Sequence, residues 1–513
     1  MTSSELNKTP ASSNPKSALK PFADLISELK AKMKLVFHER ANLDEMAINR
    51  GLPPFALREI MSVNPLSISI PLEYGGRGAV THETLGLLAA ASYESLALSL
   101  TFGINSALFL QPFAKYGQEE LKPSVFKKFL QEKTMGGLMI TEPKYGSDAL
   151  SMHTSFTSEE GKYHIQGTKH WAGLTGWAEY WLITARRKTS SGDLQRDLNF
   201  FVVDVNEPGQ KIVVEETFKN LGLYAIPYGR NRIDVKVPSI NKLQPHTTGV
   251  KMMLDLLHRS RMQFPGMAMG FIQRMLDEAI AHCRQRMVGG RSLLTYDQVQ
   301  HRLAKLQASY TVCSAMCVNS SEKVSVDKDM YSHDMEANSI KAVITDLMQE
   351  AAQSVLQLMG AKAYKLNHIV GRGTVDSRPF QIFEGSNDIL YAQISEGIIK
   401  RMKRSKESNL YQFLKGYDLT VEAADYVKEL MNFKLDLQIP QRKLVELGKA
   451  IGRTISMEHV LKLAHKGFRK DLIDGGIAML QQEISKLMDG FSFKNKTTVV
   501  EGYQEKGDWF ELV

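Results

Sequence analysis

The sequence predicts an α+β protein, mostly helical, built in the order helices, β-domain, helices. Three observations carry this. Apolar residues recur at helical spacing from Phe22 to about Thr134. Short β-rich runs bounded by turn residues follow from Gly136 to Val237. The helical period then returns after Pro238 and holds to about Arg404. Strands segregated from helices in this way argue against a parallel βαβ sheet.

Residues 1–22 read as a flexible tail. Their start is rich in Ser, Pro and Lys and has no apolar stretch, so no signal peptide is expected. A helical domain is predicted over 23–134. Its apolar spacing is seen at Leu25/Leu29/Met33 and Leu85/Leu88/Ala89, with breaks at Pro53-Pro54, Pro65 and Tyr74-Gly75-Gly76. The uncharged stretch Ser95–Leu110 is too short to span a bilayer and is expected to be a buried helix. A small antiparallel β-domain or barrel is predicted over 135–243. Its strands are expected at Tyr163–Gln166, Tyr180–Ala185, Asn199–Asp204, Lys211–Glu215 and Asn231–Val237. Helical segments at 248–287, 296–324, 334–359 and 386–402 predict a bundle over 244–404. Residues 405–513 add amphipathic stretches such as Val421–Met431 and Val445–Ile451. These are expected to pack on the bundle or join subunits, with a membrane surface as the alternative.

The composition is that of a multidomain globular chain. It has 513 residues, 43% of them hydrophobic and 23% charged, which argues against disorder or a fibrous repeat. Three cysteines make no disulfide framework and complete no zinc site, and they suit a reducing compartment. The net charge of +8 favours anionic partners without choosing among them. Its densest run, Lys400 to Lys406, reads as a solvated helix end.

The sequence lacks a phosphate loop, a dinucleotide-binding Gly fingerprint, a zincin helix and a hydrolase nucleophile elbow. Four segments carry positive signals. Thr141-Glu142-Pro143-Lys144-Tyr145-Gly146-Ser147-Asp148 suits a loop whose backbone N–H groups meet a ligand. Gly167-Thr168-Lys169-His170-Trp171 leads a large aromatic toward a flat partner or into a core. Arg286 precedes Tyr296 and Val299-Gln300-His301-Arg302-Leu303. In Phe383-Glu384-Gly385-Ser386-Asn387-Asp388 a carboxylate sits between apolar residues and a helix start. That arrangement suits a base with a tuned pKa, or an ordinary helix-terminal Glu, with Ser386 or Asn387 as the cap.

In this order and spacing, the segments resemble the acyl-CoA dehydrogenase family from about residue 23 to about 402. The resemblance includes Pro71-Leu72-Glu73-Tyr74-Gly75-Gly76, Thr154, Lys169-x-Trp171 and Ala178-Glu179. It continues through Val237-Pro238, Arg261, Arg286, Gln357-Leu358-Met359-Gly360, Asp376-Ser377-Arg378 and Glu384-Gly385-Ser386-Asn387-Asp388. It implies an N-terminal helical domain, a central β-domain and a C-terminal four-helix bundle, with FAD between the last two and a homodimer or homotetramer. It implies oxidation of an acyl thioester, carried on CoA or an acyl-carrier protein, to the trans-2-enoyl thioester. It further implies that the residue at Glu384 takes the α-proton while a hydride passes to the flavin, and that electron-transfer flavoprotein or a similar acceptor takes the electrons.

Carried over by position, Leu138, Ile140, Thr141, Gly146 and Ser147 match the first flavin loop, and Trp171 the aromatic beside the flavin. Gly173 stands at the flavin edge. Arg286, Gln357 and Gly360 match contacts to FAD phosphates and adenosine across a dimer. Ser386 and Asp388 match cofactor-facing positions, and Ser147, Arg261 and Gly385 lie on the substrate side. Some members place the base one residue before the Arg matched by Arg261. Here that residue is Ser260, which leaves Glu384 in the role.

The chain also departs from the pattern. Trp171-Ala172-Gly173-Leu174 replaces a Trp-Ile-Thr-Asn or Trp-Ile-Ser-Asn run, so the hydroxyl at the flavin edge is missing. Gly289, Asp297, Ala361, Ala363 and His258 differ as well. An oxidase of the same fold, or a non-enzymatic scaffold, is the alternative. A bacterial cytoplasm is the expected location, ahead of a mitochondrial matrix.

Overall fold

The computed structural model describes residues 19–49, 51–436, 438–494 and 498–513. Most of the tail expected over 1–22 lies outside these residues. The N-terminal helices are α1 (Phe22–Lys34), α2 (Leu43–Ile48), α3 (Pro54–Met61), α4 (Thr81–Glu94), α5 (Leu96–Asn105), α6 (Gln111–Tyr116) and α7 (Lys122–Gln131). Pro54 opens α3, in the first turn, where no intrahelical donor is needed. Ser95 caps α5, its Oγ accepting the Leu98 N–H at 3.2 Å. The segment Leu96–Tyr116 is apolar and long enough to cross a membrane, yet 94% of its most apolar window is buried in the protein. It is a core helix of this fold.

Seven strands follow: β1 (Gly136–Met139), β2 (Ser155–Glu159), β3 (Lys162–Gly173), β4 (Tyr180–Lys188), β5 (Leu194–Asp204), β6 (Lys211–Thr217) and β7 (Tyr228–Pro238). Each strand expected from the sequence lies within one of these. Most pairings are antiparallel, but β1 and β2 both run parallel to β4. The loop from 140 to 154 carries the chain along one edge of β4. β1 therefore pairs with its first half and β2 with its end, while β5 takes the other edge. β1 and β2 escaped the sequence reading because they are short, and β1 begins with two glycines.

The bundle contains α8 (Gly249–Arg261) and α9 (Phe264–Gln285), followed by a two-residue hairpin, β8 (Met287–Val288) and β9 (Arg291–Ser292). It continues with α10 (Asp297–Lys323), α11 (Asp334–Met359), α12 (Ile369–Asp376) and α13 (Asn387–Ser405). Pro265 splits the segment expected over 248–287 into α8 and α9, because proline is tolerated only in a first turn. The basic run 400–406 is the largely exposed end of α13, where cations favour the helix dipole.

The extension adds α14 (Leu410–Lys415), α15 (Ala423–Tyr426), α16 (Lys428–Met431), α17 (Gln441–His465) and α18 (Lys470–Ser492). Helix α17 packs on α13, α11, α10 and α18. At Gly448 a Cβ would lie 2.0 Å from the Tyr391 carbonyl, so only glycine admits this approach of α17 to α13. The extension is thus built into the same body as the bundle.

Candidate active site

A cavity of about 430 Å³ lies where β1, β3 and β7 meet α5, α8 and the start of α13. Leu100, Ile104, Leu254 and Leu257 form apolar wall, and Glu384 and Asp148 are its carboxylates. The carboxylate is held by a strained turn. Glu384 has φ +54° and Gly385 φ +91°, both left-handed, and left-handed backbone at a non-glycine residue is costly unless its surroundings impose it.

Here they do. Arg261 Nε and Nη2 both donate to the Glu384 carbonyl, at 3.1 and 2.8 Å, and Nη1 donates to Asn338 Oδ1 at 2.6 Å. Lys341 Nζ donates to the Gly385 carbonyl at 2.7 Å and to Asn387 Oδ1 at 2.9 Å. Two successive carbonyls are therefore pinned by two buried cations. The backbone N–H of Glu384 has no acceptor among the described residues.

The side chain is positioned as firmly. Ser260 Oγ donates to Glu384 Oε1 at 2.8 Å. The other oxygen, Oε2, is buried and has no partner among the described residues. Burial raises the Glu384 pKa above the ordinary carboxylate value, against the opposing pull of Arg261, Ser260 and Lys341. Burial also lowers Lys341 to about 7, opposed by Glu384.

The β-side wall is shaped by a bulge. The β3–β7 register shifts between Lys169 and Ala172, and Trp171 lies there with φ +55°. The bulge turns the indole out of the sheet. Trp171 is 53% exposed, with its ring 4.5 Å from that of Phe218. Next to it, Lys169 is wholly buried. Its Nζ donates to the Ile140 carbonyl, Glu142 Oε1 and Thr184 Oγ1 at 3.0–3.1 Å. Glu142 in turn accepts the His153 and Thr154 N–H groups. This buried pair fixes the 140–154 loop against β3.

The structure brings most of the sequence-predicted residues together. Leu138, Ile140, Thr141, Gly146, Ser147, Trp171, Gly173, Arg261, Glu384 and Gly385 all line the cavity. Arg286, Gln357 and Gly360 do not. They are exposed at the far ends of α9 and α11, with Gly360 at φ +62°. Ser386 precedes α13 but makes no side-chain cap, and Asn387 instead spends its amide on Ala342, Thr345 and Asp346. Asp388 is exposed on the first turn, 4.0 Å from Lys449. The sequence reading missed the roles of Ser260, Lys341, Asn338 and the Lys169–Glu142 pair. His258 turns inward, its Nδ1 2.9 Å from the Met330 carbonyl.

The architecture and the pinned Glu384 agree with the sequence matches along the chain. "Acyl-CoA dehydrogenase, N-terminal domain" matches residues 30–133, the middle domain 137–235 and the C-terminal domain 247–399. The chain belongs to the acyl-CoA dehydrogenase family. Similar curated relatives include an acyl-CoA dehydrogenase of Bacillus subtilis (strain 168), 25% identical over 67% of this chain and 90% of that protein. A mitochondrial very long-chain specific acyl-CoA dehydrogenase of Macaca fascicularis is 27% identical over 65% of this chain. The match spans about half, 51%, of that longer relative.

Solved structures share the fold. An acyl-CoA dehydrogenase complexed with FAD from Bacillus anthracis aligns with TM-score 0.74 at 17% identity, covering 95% of this chain and 92% of that one. Butyryl-CoA dehydrogenase from Megasphaera elsdenii aligns with TM-score 0.65 at 19% identity, covering 74% and 99%. The family matches end at residue 399, whereas the B. anthracis alignment reaches into the extension of this acyl-CoA dehydrogenase family member.

Proposed function

We propose that this protein removes the α- and β-hydrogens of an acyl thioester with FAD as cofactor and Glu384 as the α-proton base. As a family member it is a flavoprotein oxidoreductase acting on CH–CH bonds of acyl thioesters. The observation that supports Glu384 is its free, buried Oε2, held open by the Ser260 bond to Oε1.

The residues present fit a flat ring system. Leu138, Ile140 and Thr141 lie along one wall, the Trp171 indole is turned out at the bulge, and Gly173 offers no side chain to obstruct it. FAD, when bound, supplies the acceptor for the two electrons that leave with the β-hydrogen. The chain supplies the rest. Glu384 Oε2 accepts the α-proton. The raised pKa of its carboxyl strengthens the base, bringing it closer to the weakly acidic α-carbon. The free Glu384 N–H points to a role at the thioester oxygen, where charge develops. Arg261 and Lys341 hold the turn that presents that N–H by gripping the two carbonyls that follow it. The apolar wall keeps water from the base.

The exposed Arg286, Gln357 and Gly360 suit a second role, holding the phosphates and adenosine of the cofactor in a neighbouring copy. Arg286→Ala is expected to lower FAD retention and oligomer stability together, by about 1.5–3 kcal/mol for a charge-assisted phosphate bond. Flavin content unchanged after gel filtration counts against that role. The substrate test is an anaerobic titration of the purified protein with acyl-CoAs and acyl-carrier proteins. Bleaching of the visible flavin band identifies the substrate, and a panel that bleaches nothing overturns the reading. Gly173 favours a second reading, an oxidase that passes electrons to oxygen. Rapid aerobic reoxidation with stoichiometric peroxide selects it, and slow reoxidation selects electron-transfer flavoprotein or a similar acceptor.

A further inference from the structure

Gly173 in β3 lies directly opposite Tyr228 in β7. A Cβ built at residue 173 would be 3.2 and 3.3 Å from Cε1 and Cζ of the Tyr228 ring, and 2.7 Å from Ile104 Cδ1. The hydroxyl-bearing end of the phenol therefore takes the ground a side chain at 173 would need. A side chain at 173 would clash first with Ile104 Cδ1 and would press on the phenol, which would have to give by a few tenths of an ångström.

The phenol also faces the site. Tyr228 lines the cavity with Glu384, and its ring is 6.4 Å from that of Trp171. Its hydroxyl has no hydrogen-bond partner among the described residues. Half-buried at the cavity wall, this hydroxyl is free to donate to a group bound there. We propose that the Tyr228 hydroxyl donates a hydrogen bond to the redox edge of the bound flavin, replacing the side-chain hydroxyl missing at Gly173. This rests on the flavoenzyme reading above. Burial, and then the charge of Glu384, push the phenol well above its ordinary value, so it stays protonated and able to donate through the neutral range.

The test compares the wild-type holoenzyme with Tyr228→Phe, both without substrate. Phe keeps the ring packing and removes only the hydroxyl. Loss of one neutral hydrogen bond is expected to move the flavin equilibrium, poised by a reference dye, about fivefold away from the wild-type ratio and to shift the visible band. Superimposable spectra and an unchanged ratio overturn the assignment while leaving the flavoenzyme reading intact. A shift that appears only when substrate is added also overturns it, because the hydroxyl then serves the substrate. A wild-type protein that takes up no FAD overturns the flavoenzyme reading itself, and this assignment with it. A second pair guards against misfolding of the Phe variant. Ile104→Ala/Tyr228→Leu is compared with the same background carrying Gly173→Ser, which has room for the added side chain. Serine is expected to move the equilibrium in the sense opposite to the Tyr228→Phe shift, and no difference between the pair overturns the exchange.

Discussion

Helix α13 joins two buried polar clusters that are finished differently. At its start, Glu384 keeps one carboxylate oxygen without a partner, facing a cavity. A turn into the helix, Tyr391 interacts with Arg453, in a cluster that ties the bundle to the extension. There Arg453 Nε donates to Glu483 Oε2 at 2.6 Å, and Tyr391 Oη donates to Asp346 Oδ2 at 2.6 Å. Asn387 Nδ2 and Gln381 Nε2 both reach Asp346 Oδ1 at 2.7 Å. Both clusters are desolvated and they share Asn387, but only the first leaves a carboxylate oxygen without a partner among the described residues. A closed cluster specifies how two elements dock, whereas an open one is held ready for an atom from outside.

The largest expected effect falls on the closed cluster. Arg453→Met removes the buried cation at Glu483, leaving only Lys305 at 3.8 Å, and is expected to cost up to about 3–5 kcal/mol, read by chemical denaturation. Arg453→Met/Glu483→Leu is expected to recover most of that. A single variant as stable as wild type breaks the comparison.

Next comes the hydroxyl that holds the base. Ser260→Ala removes a donor to a carboxylate, an interaction of about 1.5–3 kcal/mol. Ser260 lowers the Glu384 pKa, so its loss raises it. The acid limb of flavin reduction by substrate is expected to move to higher pH. A limb that stays in place removes Ser260 from the account.

The smallest effect sharpens the contrast. Because burial raises the Glu384 pKa, the folded protein binds more protons than the unfolded chain between the ordinary carboxyl value and the raised one. This group therefore subtracts stability as pH rises through that window, and the cost persists above it. Glu384→Gln is expected to be no less stable than wild type at neutral pH, with its advantage lost in acid. A clear loss at neutral pH, measured by thermal unfolding, would place Glu384 with the structural ion pairs.

Local chemistry made much of this legible in the sequence. The change from helical to strand-like spacing near Gly136 is a property of neighbouring residues, and so is the carboxylate between Phe383 and Gly385 at a helix start. What stayed hidden depends on partners far apart in the chain. Lys341 reads as one more charge on a long helix, and only the fold carries it to the Gly385 carbonyl. Ser260 reads as a position lacking a base, yet it orients the base supplied from 124 residues away. The bulge at Trp171 needs the pairing of β3 with β7, and the docking of α17 needs the backbone approach at Gly448. An amphipathic pattern shows that a helix has a buried face, but not what covers it.

The central claim is that Glu384 removes the α-proton. Anaerobic stopped-flow mixing of an acyl thioester that bleaches the wild-type flavin with the Glu384→Gln holoenzyme tests it most directly. Gln keeps the shape and the backbone N–H but cannot accept the proton. Bleaching is expected to slow by at least about a hundredfold, while binding still perturbs the flavin spectrum. Bleaching at a rate near wild type would contradict the account and place the base elsewhere.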